Sequence, residues 1–301
     1  MPPLDVLCIG QATYDLAFAI PHYPAADEKS VATGLTASGG GPAANAAVAV
    51  ARLGGRSGFA GYLGRDAFGD LHAQELRAEG VDISLLRRGA APTPLSVVWV
   101  QPDGRRALVN YRAETPPLPA GSVTLTAVPP AVLLFDGLES AVSPALADAA
   151  RRQGVPTVLD AGSLRRGTAD LLPRVTYAVV SARFSQEFTG QADPHRALAR
   201  LAAVAPRVVI TLGARGLVWR TPEGAGEMAA PDVSAVAPGG IVDTNGAGDA
   251  FHGAFAYGVA RGMAWQPLLR YASAAAALTC TGRGARPALP TQAQVAALLG
   301  N

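Results

Sequence analysis

Lysine is almost missing from this chain of 301 residues: Lys29 is the only one, and the rest of its 25 basic residues are arginines. That scarcity excludes mechanisms that grip a phosphate with lysine. Lys29-Ser30 follows Glu28 outside any glycine-rich loop, so there is no P-loop, and no protein-kinase strand lysine with its catalytic-loop signature is present. A phosphate must then be held by backbone amides, arginine or metal. Cysteine is nearly as scarce. Cys8 and Cys280 lack metal-ligand spacing and read as small hydrophobes in a reducing compartment, and the scattered His22, His72, His195 and His252 offer no zinc site. The formal net charge is only +2 without any block of one sign, which argues against nucleic acid or an anionic membrane as partner. Long apolar runs are lacking too. The alanine-rich stretch Ala272 to Leu278 falls far short of the roughly 20 residues that span a bilayer. The opening MPPLDVLCIG carries Asp5 and no cationic region, unlike a signal peptide, so a cytoplasmic protein is expected.

The chain has ample material for a core. With 49% hydrophobic and 16% charged residues, one domain over 1–301 is expected. Val6 to Gly10 reads as a buried strand delivering a loop that carries Asp15. Residues 17–38 look like an exposed hairpin. Thr93 to Val100, the turn Asp103-Gly104 and Arg106 to Tyr111 form a second one. GGGPAANAAVAVARLGG at 39–55 starts a helix at Pro42 and stops it at Gly54. Its G-x-G-x-x-A spacing over Gly39, Gly41 and Ala44 also fits a dinucleotide loop weakly, since the ribose-binding acid is missing. The second half alternates strands (Ala131 to Phe135, Thr157 to Leu159, Ala178 to Ser181, Val208 to Leu212) with helical segments such as Pro144 to Gln153. That order implies an α/β fold, doubly wound around a mainly parallel sheet. Ligands on such sheets lie at the carboxyl ends of strands, where Asp15, Asp136 to Glu139, Asp160, Ser181 and Thr211 to Gly213 fall.

The densest cluster of chemistry is DTNGAGDAFHGAF at 243–255, a glycine loop turning into a helix. Gly246, Ala247, Gly248 and Asp249 would present free backbone amides at a helix N-terminus, an anion hole. Asp249 at its mouth has two readings: a helix cap, or a general base taking the proton of a hydroxyl that attacks phosphorus.

With GGGPAANAAVAVARLG and GYLGRDAFG near one end, TLGARG at 211–216 and VDTNGAGDAFHGAF near the other, the chain resembles the ribokinase/PfkB family of ATP-dependent carbohydrate and nucleoside kinases over essentially its whole length. The resemblance implies a ribokinase-like α/β/α fold with a small β-sheet lid from about 17–38 and 93–115. It matches Asp249 to the catalytic base and the Gly246, Ala247 and Gly248 amides to the anion hole. Asp15, Gly40, Gly41 and Asn45 match positions that hold sugar hydroxyls, with Asn110, Glu139 and Asp160 as further candidates. Thr211, Gly213, Gly216 and Ser181 fall on the nucleotide side. Asp243 and the CTGRGA run at 280–285 sit where many members bind a monovalent cation, so ATP, Mg²⁺ and K⁺ are the expected cofactors. The open edges of the lid sheet suit pairing with a second copy.

Two positions depart from the family pattern. Its Asn-x-x-Glu motif, which organises the water shell of Mg²⁺, is replaced in SARFSQEFTG by Ser181 and Phe184. The chain looks most similar to the branch containing sulfofructose kinase, yet FDGLES has Leu138 near the place of that branch's sulfonate-binding arginine, with Glu139 beside it. A carboxylate there suits hydroxyls and repels anions, so the expected acceptor is an unphosphorylated sugar, ribose- or ketohexose-like. An adenosine-like nucleoside kinase and a non-catalytic sugar-binding regulator of the same fold are the alternatives.

Overall fold

A computed structural model describes residues 3–102, 105–112 and 115–300; the expected Asp103-Gly104 turn lies outside the described residues. The first third holds β1 (Val6–Ile9), β2 (Thr13–Ala19), β3 (Gly34–Gly40), α1 (Pro42–Arg52), β4 (Ser57–Gly64), α2 (Ala67–Ala78) and β5 (Leu86–Gly89). Then come β6 (Leu95–Val100), β7 (Arg106–Tyr111), β8 (Val132–Phe135), α3 (Ser143–Gln153), β9 (Thr157–Ala161), α4 (Arg166–Leu171), β10 (Tyr177–Ser181) and α5 (Ala182–Thr189). The chain closes with α6 (Pro194–Leu201), β11 (Val208–Thr211), β12 (Leu217–Thr221), β13 (Gly224–Met228), α7 (Ala247–Ala260), α8 (Trp265–Thr279) and α9 (Gln292–Leu299).

Nine strands form one sheet in the order β13-β12-β11-β10-β9-β8-β1-β4-β5, parallel from β11 to β5 with β12 and β13 antiparallel at one edge. Its strands are continuous apolar runs because both faces are covered. Along β1, Val6 and Cys8 pack into the layer built from α1, α2, α7, α8 and α9, whereas Leu7 and Ile9 pack into the layer of α3 to α6. Among the described residues no helix is long and apolar enough to cross a membrane.

This winding places the site. From β1 the chain first builds outward through β4 and β5, then returns to β8 on the other flank of β1 and builds the opposite way. The order therefore reverses between β1 and β8. Loops leaving neighbouring strands at such a point diverge and open a crevice at the carboxyl ends.

A second sheet, β3-β2-β6-β7, covers that crevice; β2 runs parallel to β6 and antiparallel to β3. Ser38, Asp15, Ser96 and Asn110 stand opposite one another across all four strands and so share one face. The other face carries Leu16, Ala37, Val97 and Val109, then Phe18, Leu35, Trp99 and Ala107. Asp15 thus lies within β2, not in the loop expected after β1. The reason is a period-two pattern in TYDLAFA, with Tyr14, Leu16 and Phe18 alternating against Thr13, Asp15 and Ala17, which continues the strand back to Thr13.

The three consecutive glycines where β3 enters α1 each leave room for something different. A Cβ on Gly39 would lie 1.9 Å from Arg286 Nη1, one on Gly40 would lie 2.2 Å from Asp15 Oδ2, and one on Gly41 would lie 2.5 Å from the Gln11 carbonyl. Gly41, with φ of 94°, also holds a backbone conformation that side chains disfavour, just before Pro42 begins the helix.

Candidate active site

Helices α1 and α7 lie against each other, so closely that a Cβ on Gly253 would meet the Ala46 carbonyl at 2.6 Å. Both begin at the crevice. Gly246 caps α7 in the left-handed region at φ 79°, where an added Cβ would also collide with Ala285. Ala247, Gly248 and Asp249 follow as its first turn; the Ala247 amide reaches the Thr244 carbonyl only at 3.4 Å, and the amides of Gly248 and Asp249 make no backbone bond among the described residues.

Asp249 does not turn back to cap this helix. Asn45 Nδ2, from the first turn of α1, donates to its Oδ2 at 2.7 Å, and Asn45 is the only hydrogen-bond partner of that carboxylate among the described residues. Burial, then the nearby Asp160, push the Asp249 carboxyl up to about 8; the Asn45 bond pulls the other way, and Asp15 and Asp136 add to the rise. The group is a half-buried carboxyl, desolvated enough to hold its proton near neutral pH.

A cleft of about 390 Å³ opens in front of it. Of the residues expected to meet the sugar, Asp15, Gly41, Asn45, Asn110 and Asp160 line it. Asp15 Oδ1 accepts a bond from the Thr13 hydroxyl at 2.8 Å, and the Ser96 hydroxyl donates to Asn110 Oδ1 at 2.8 Å. Gly40 stands behind Asp15 and makes room for it. Gly246, Gly248 and Asp249 form the floor, while Ser181 and Thr211, at the ends of the adjacent strands β10 and β11, form one side. Ser181 caps α5, accepting from the Phe184 amide at 2.9 Å. Gly213 and Gly216 belong to the turn between β11 and β12 and are not among the residues lining the cleft.

Two expected residues stand elsewhere. Glu139 lies on an adjoining cavity, where its carboxylate accepts from the Leu118 amide at 2.6 Å. Its buried carboxyl is pushed up to about 7. It therefore supports the proline-rich connection instead of facing the cleft, and the charge that disfavours an anionic acceptor comes from the carboxylates that do line it, Asp15 and Asp160. Asp243 ties two loops together, accepting from the Asn245 and Gly284 amides at 2.9 Å each and facing Arg106 at 3.6 Å.

Several lining residues have no role assigned to them from the sequence. Asp136, just after the end of β8, accepts from the Gln11 amide at 2.7 Å and the Leu138 amide at 2.9 Å, and burial holds its carboxyl up at about 6. His252 is buried one turn after Gly248, with Nδ1 at 2.6 Å from the Gly248 carbonyl and 3.4 Å from Asp160 Oδ2. Arg106, Arg112 and Arg165 bring positive charge to the mouth. Strand-end position pointed to Asp136; the arginines carried no motif.

The sequence profile described as "pfkB family carbohydrate kinase" matches residues 3–292. The chain is 30% identical to a ribokinase of Arabidopsis thaliana over 99% of its own length and 81% of that protein. It is 32% identical to a fructokinase of Solanum tuberosum, covering 88% of this chain and 87% of the other. The solved structure of Arabidopsis thaliana ribokinase complexed with ribose and ATP superposes with a TM-score of 0.83 at 25% identity, covering 100% of both chains.

Proposed function

The chain belongs to the pfkB family of carbohydrate kinases, phosphotransferases with an alcohol group as acceptor, and from that premise we propose that it transfers the γ-phosphate of ATP to a primary hydroxyl of an unphosphorylated sugar, ribose- or ketohexose-like, with Asp249 as the general base. One juxtaposition supports this above all others. A half-buried carboxylate stands in the first turn of α7, beside open helix-terminal amides and across from the Asp15, Ser96 and Asn110 row of the small sheet.

The sugar is held between Asp15, Asn110 and Asp160, whose oxygens accept from its hydroxyls, and Asn45, whose oxygen is taken by Arg286 and whose NH₂ has one N–H left beside the Asp249 bond. Asp249 accepts the proton of the attacking hydroxyl. The Gly246, Ala247 and Gly248 amides meet the negative charge that spreads over the phosphoryl oxygens, an arrangement already oriented before reaction. The nucleotide lies toward Thr211 and Ser181, with Gly213 and Gly216 shaping the turn beyond them. The four-stranded sheet acts as the lid.

Among the described residues no group of three or more His, Cys, Asp or Glu could hold a metal ion. The donor set thus fits Mg²⁺ arriving on the triphosphate with its own waters, where it would neutralise phosphoryl charge. K⁺, if used, would be held near Asp243 and residues 280–285 mainly through backbone oxygens, since each oxygen of the Asp243 side chain already accepts from an amide. On the outer face of the lid, Leu35 and Val109 are 59% and 53% exposed, and a second copy packed there as a homodimer would cover them. An ATP-dependent enzyme of this kind is expected to work in the cytoplasm.

A coupled ADP assay with Mg²⁺-ATP against ribose, ketohexoses and adenosine tests the reading. Turnover of a free sugar is expected. Adenosine as the best substrate would overturn the acceptor class, and a sugar that binds without yielding ADP would overturn the activity.

A further inference from the structure

Behind Asn45 a polar chain runs through the protein to its surface. Arg286, only 3% exposed, donates from Nε to Asn45 Oδ1 at 3.2 Å, and its Nη1 faces Glu75 Oε2 at 3.3 Å. Glu75 Oε2 also accepts from the Gly39 amide at 2.7 Å. The second guanidinium nitrogen, Nη2, has no partner among the described residues. An arginine this deeply buried is costly to keep, and packing alone would be served as well by an apolar residue. Gly39 is the residue that leaves it room.

We propose that Arg286, braced by Glu75, is a positioning residue for phosphoryl transfer: it locks the Asn45 side-chain amide in the orientation that presents NH₂ to Asp249. The chemistry of the two ends dictates this. A guanidinium can only donate, so Asn45 must turn its oxygen toward Arg286, and its NH₂ is then forced toward the carboxylate. Without Arg286 the amide is free to rotate by 180° and set its oxygen against Asp249, removing the one bond that favours the ionised form. This role for Arg286 rests on Asp249 being the base.

The other groups facing Asp249 are Asp15 from β2, Asp136 after β8 and Asp160 on β9, with His252 beside Asp160. The carboxylates favour the protonated form; the N-terminus of α7 favours the ionised one whatever stands at position 286, and Asn45 is the side chain whose bond does so. The sign follows: loss of its orientation raises the pKa of the base and moves the acid limb of kcat/KM to higher pH.

The experiment compares wild type, Arg286→Gln, Asn45→Ala and the double variant on the best sugar, with kcat, both KM values, a pH profile and thermal melting. A hydrogen bond to a charged group corresponds to about tenfold or more. Arg286→Gln is therefore expected to lower kcat at neutral pH at least about tenfold, with KM for ATP little changed and the acid limb displaced upward. In the Asn45→Ala background the same substitution should cost less than about twofold, because the residue it acts through is gone. Equal losses in both backgrounds, or a folded Arg286→Gln enzyme with the wild-type kcat and pH profile, would overturn the proposal. If Arg286→Gln melts below the assay temperature, Glu75→Gln, at the one-third-exposed end of the chain, tests the same relay: an upward shift of the acid limb supports it and an unchanged profile refutes it. Failure of the base reading itself is separate, since it appears as retained turnover in Asp249→Asn.

Discussion

Gly40→Ala isolates the sugar side of the cleft from its nucleotide side. Gly40 ends β3 without a positive φ, so alanine is allowed by the backbone, and the added Cβ meets chiefly the Asp15 carboxyl at 2.2 to 2.5 Å. Ordinary contact begins at 3.4 Å, so that carboxyl must retreat by about 1.2 Å. Such a retreat stretches the 2.8 Å bond from the Thr13 hydroxyl and moves the acceptor oxygen away from the sugar. A lost bond to a charged group is worth about 1.5–3 kcal/mol, roughly tenfold to a hundredfold in binding. Steady-state kinetics should therefore show KM for the sugar raised by about that factor, KM for ATP within twofold of wild type, and little change in melting temperature. A folded Gly40→Ala enzyme with an unaltered sugar KM would refute the assignment of Asp15 to the sugar.

Further consequences follow from the helices, the lid and the Asp249 carboxyl. Because Asp249 is raised to about 8 and must be ionised to act, kcat/KM should climb with pH by up to tenfold per unit until about 8; a flat profile from pH 6 to 9 would contradict it. The stability effect has the opposite sign: this carboxyl holds its proton longer folded than unfolded, so its contribution declines as pH rises from about 4 through about 8, measurable by denaturant melts. Gly253→Val would drive a side chain into the Ala46 backbone and should cost about 1–3 kcal/mol of unfolding free energy in urea. Val109→Glu on the outer lid face should turn a dimer into monomers in sedimentation without unfolding the chain; a wild-type protein that sediments as a monomer would dismiss that interface.

Local chemistry makes α1, α7 and the parallel strands legible in the amino-acid sequence: glycines and a proline mark the helix starts, and unbroken apolar runs mark strands covered on both faces. The same glycines foreshadow the Asp249 floor and the Asn45 turn, although the bond that joins them spans 204 positions and has no local signature. Glu139 shows where such reading stops. Its place at a strand end is evident, but which way its side chain points depends on the Leu118 amide, delivered by a proline-rich segment with no periodicity. Arg286 is the converse case, a charge in a polar loop whose burial is set by Gly39 and Glu75 from two other elements. β13 escapes notice because GAGEM has neither alternation nor β-branched residues, and without it LVWRT of β12 has no visible hairpin partner.

The most direct measurement is single-turnover phosphoryl transfer by Asp249→Asn on the best sugar. The substitution keeps the shape of the side chain and removes its ability to take a proton, so a loss of at least about a hundredfold in rate is predicted, with sugar and ATP binding retained. A variant that transfers phosphate at close to the wild-type rate would contradict the account at its centre.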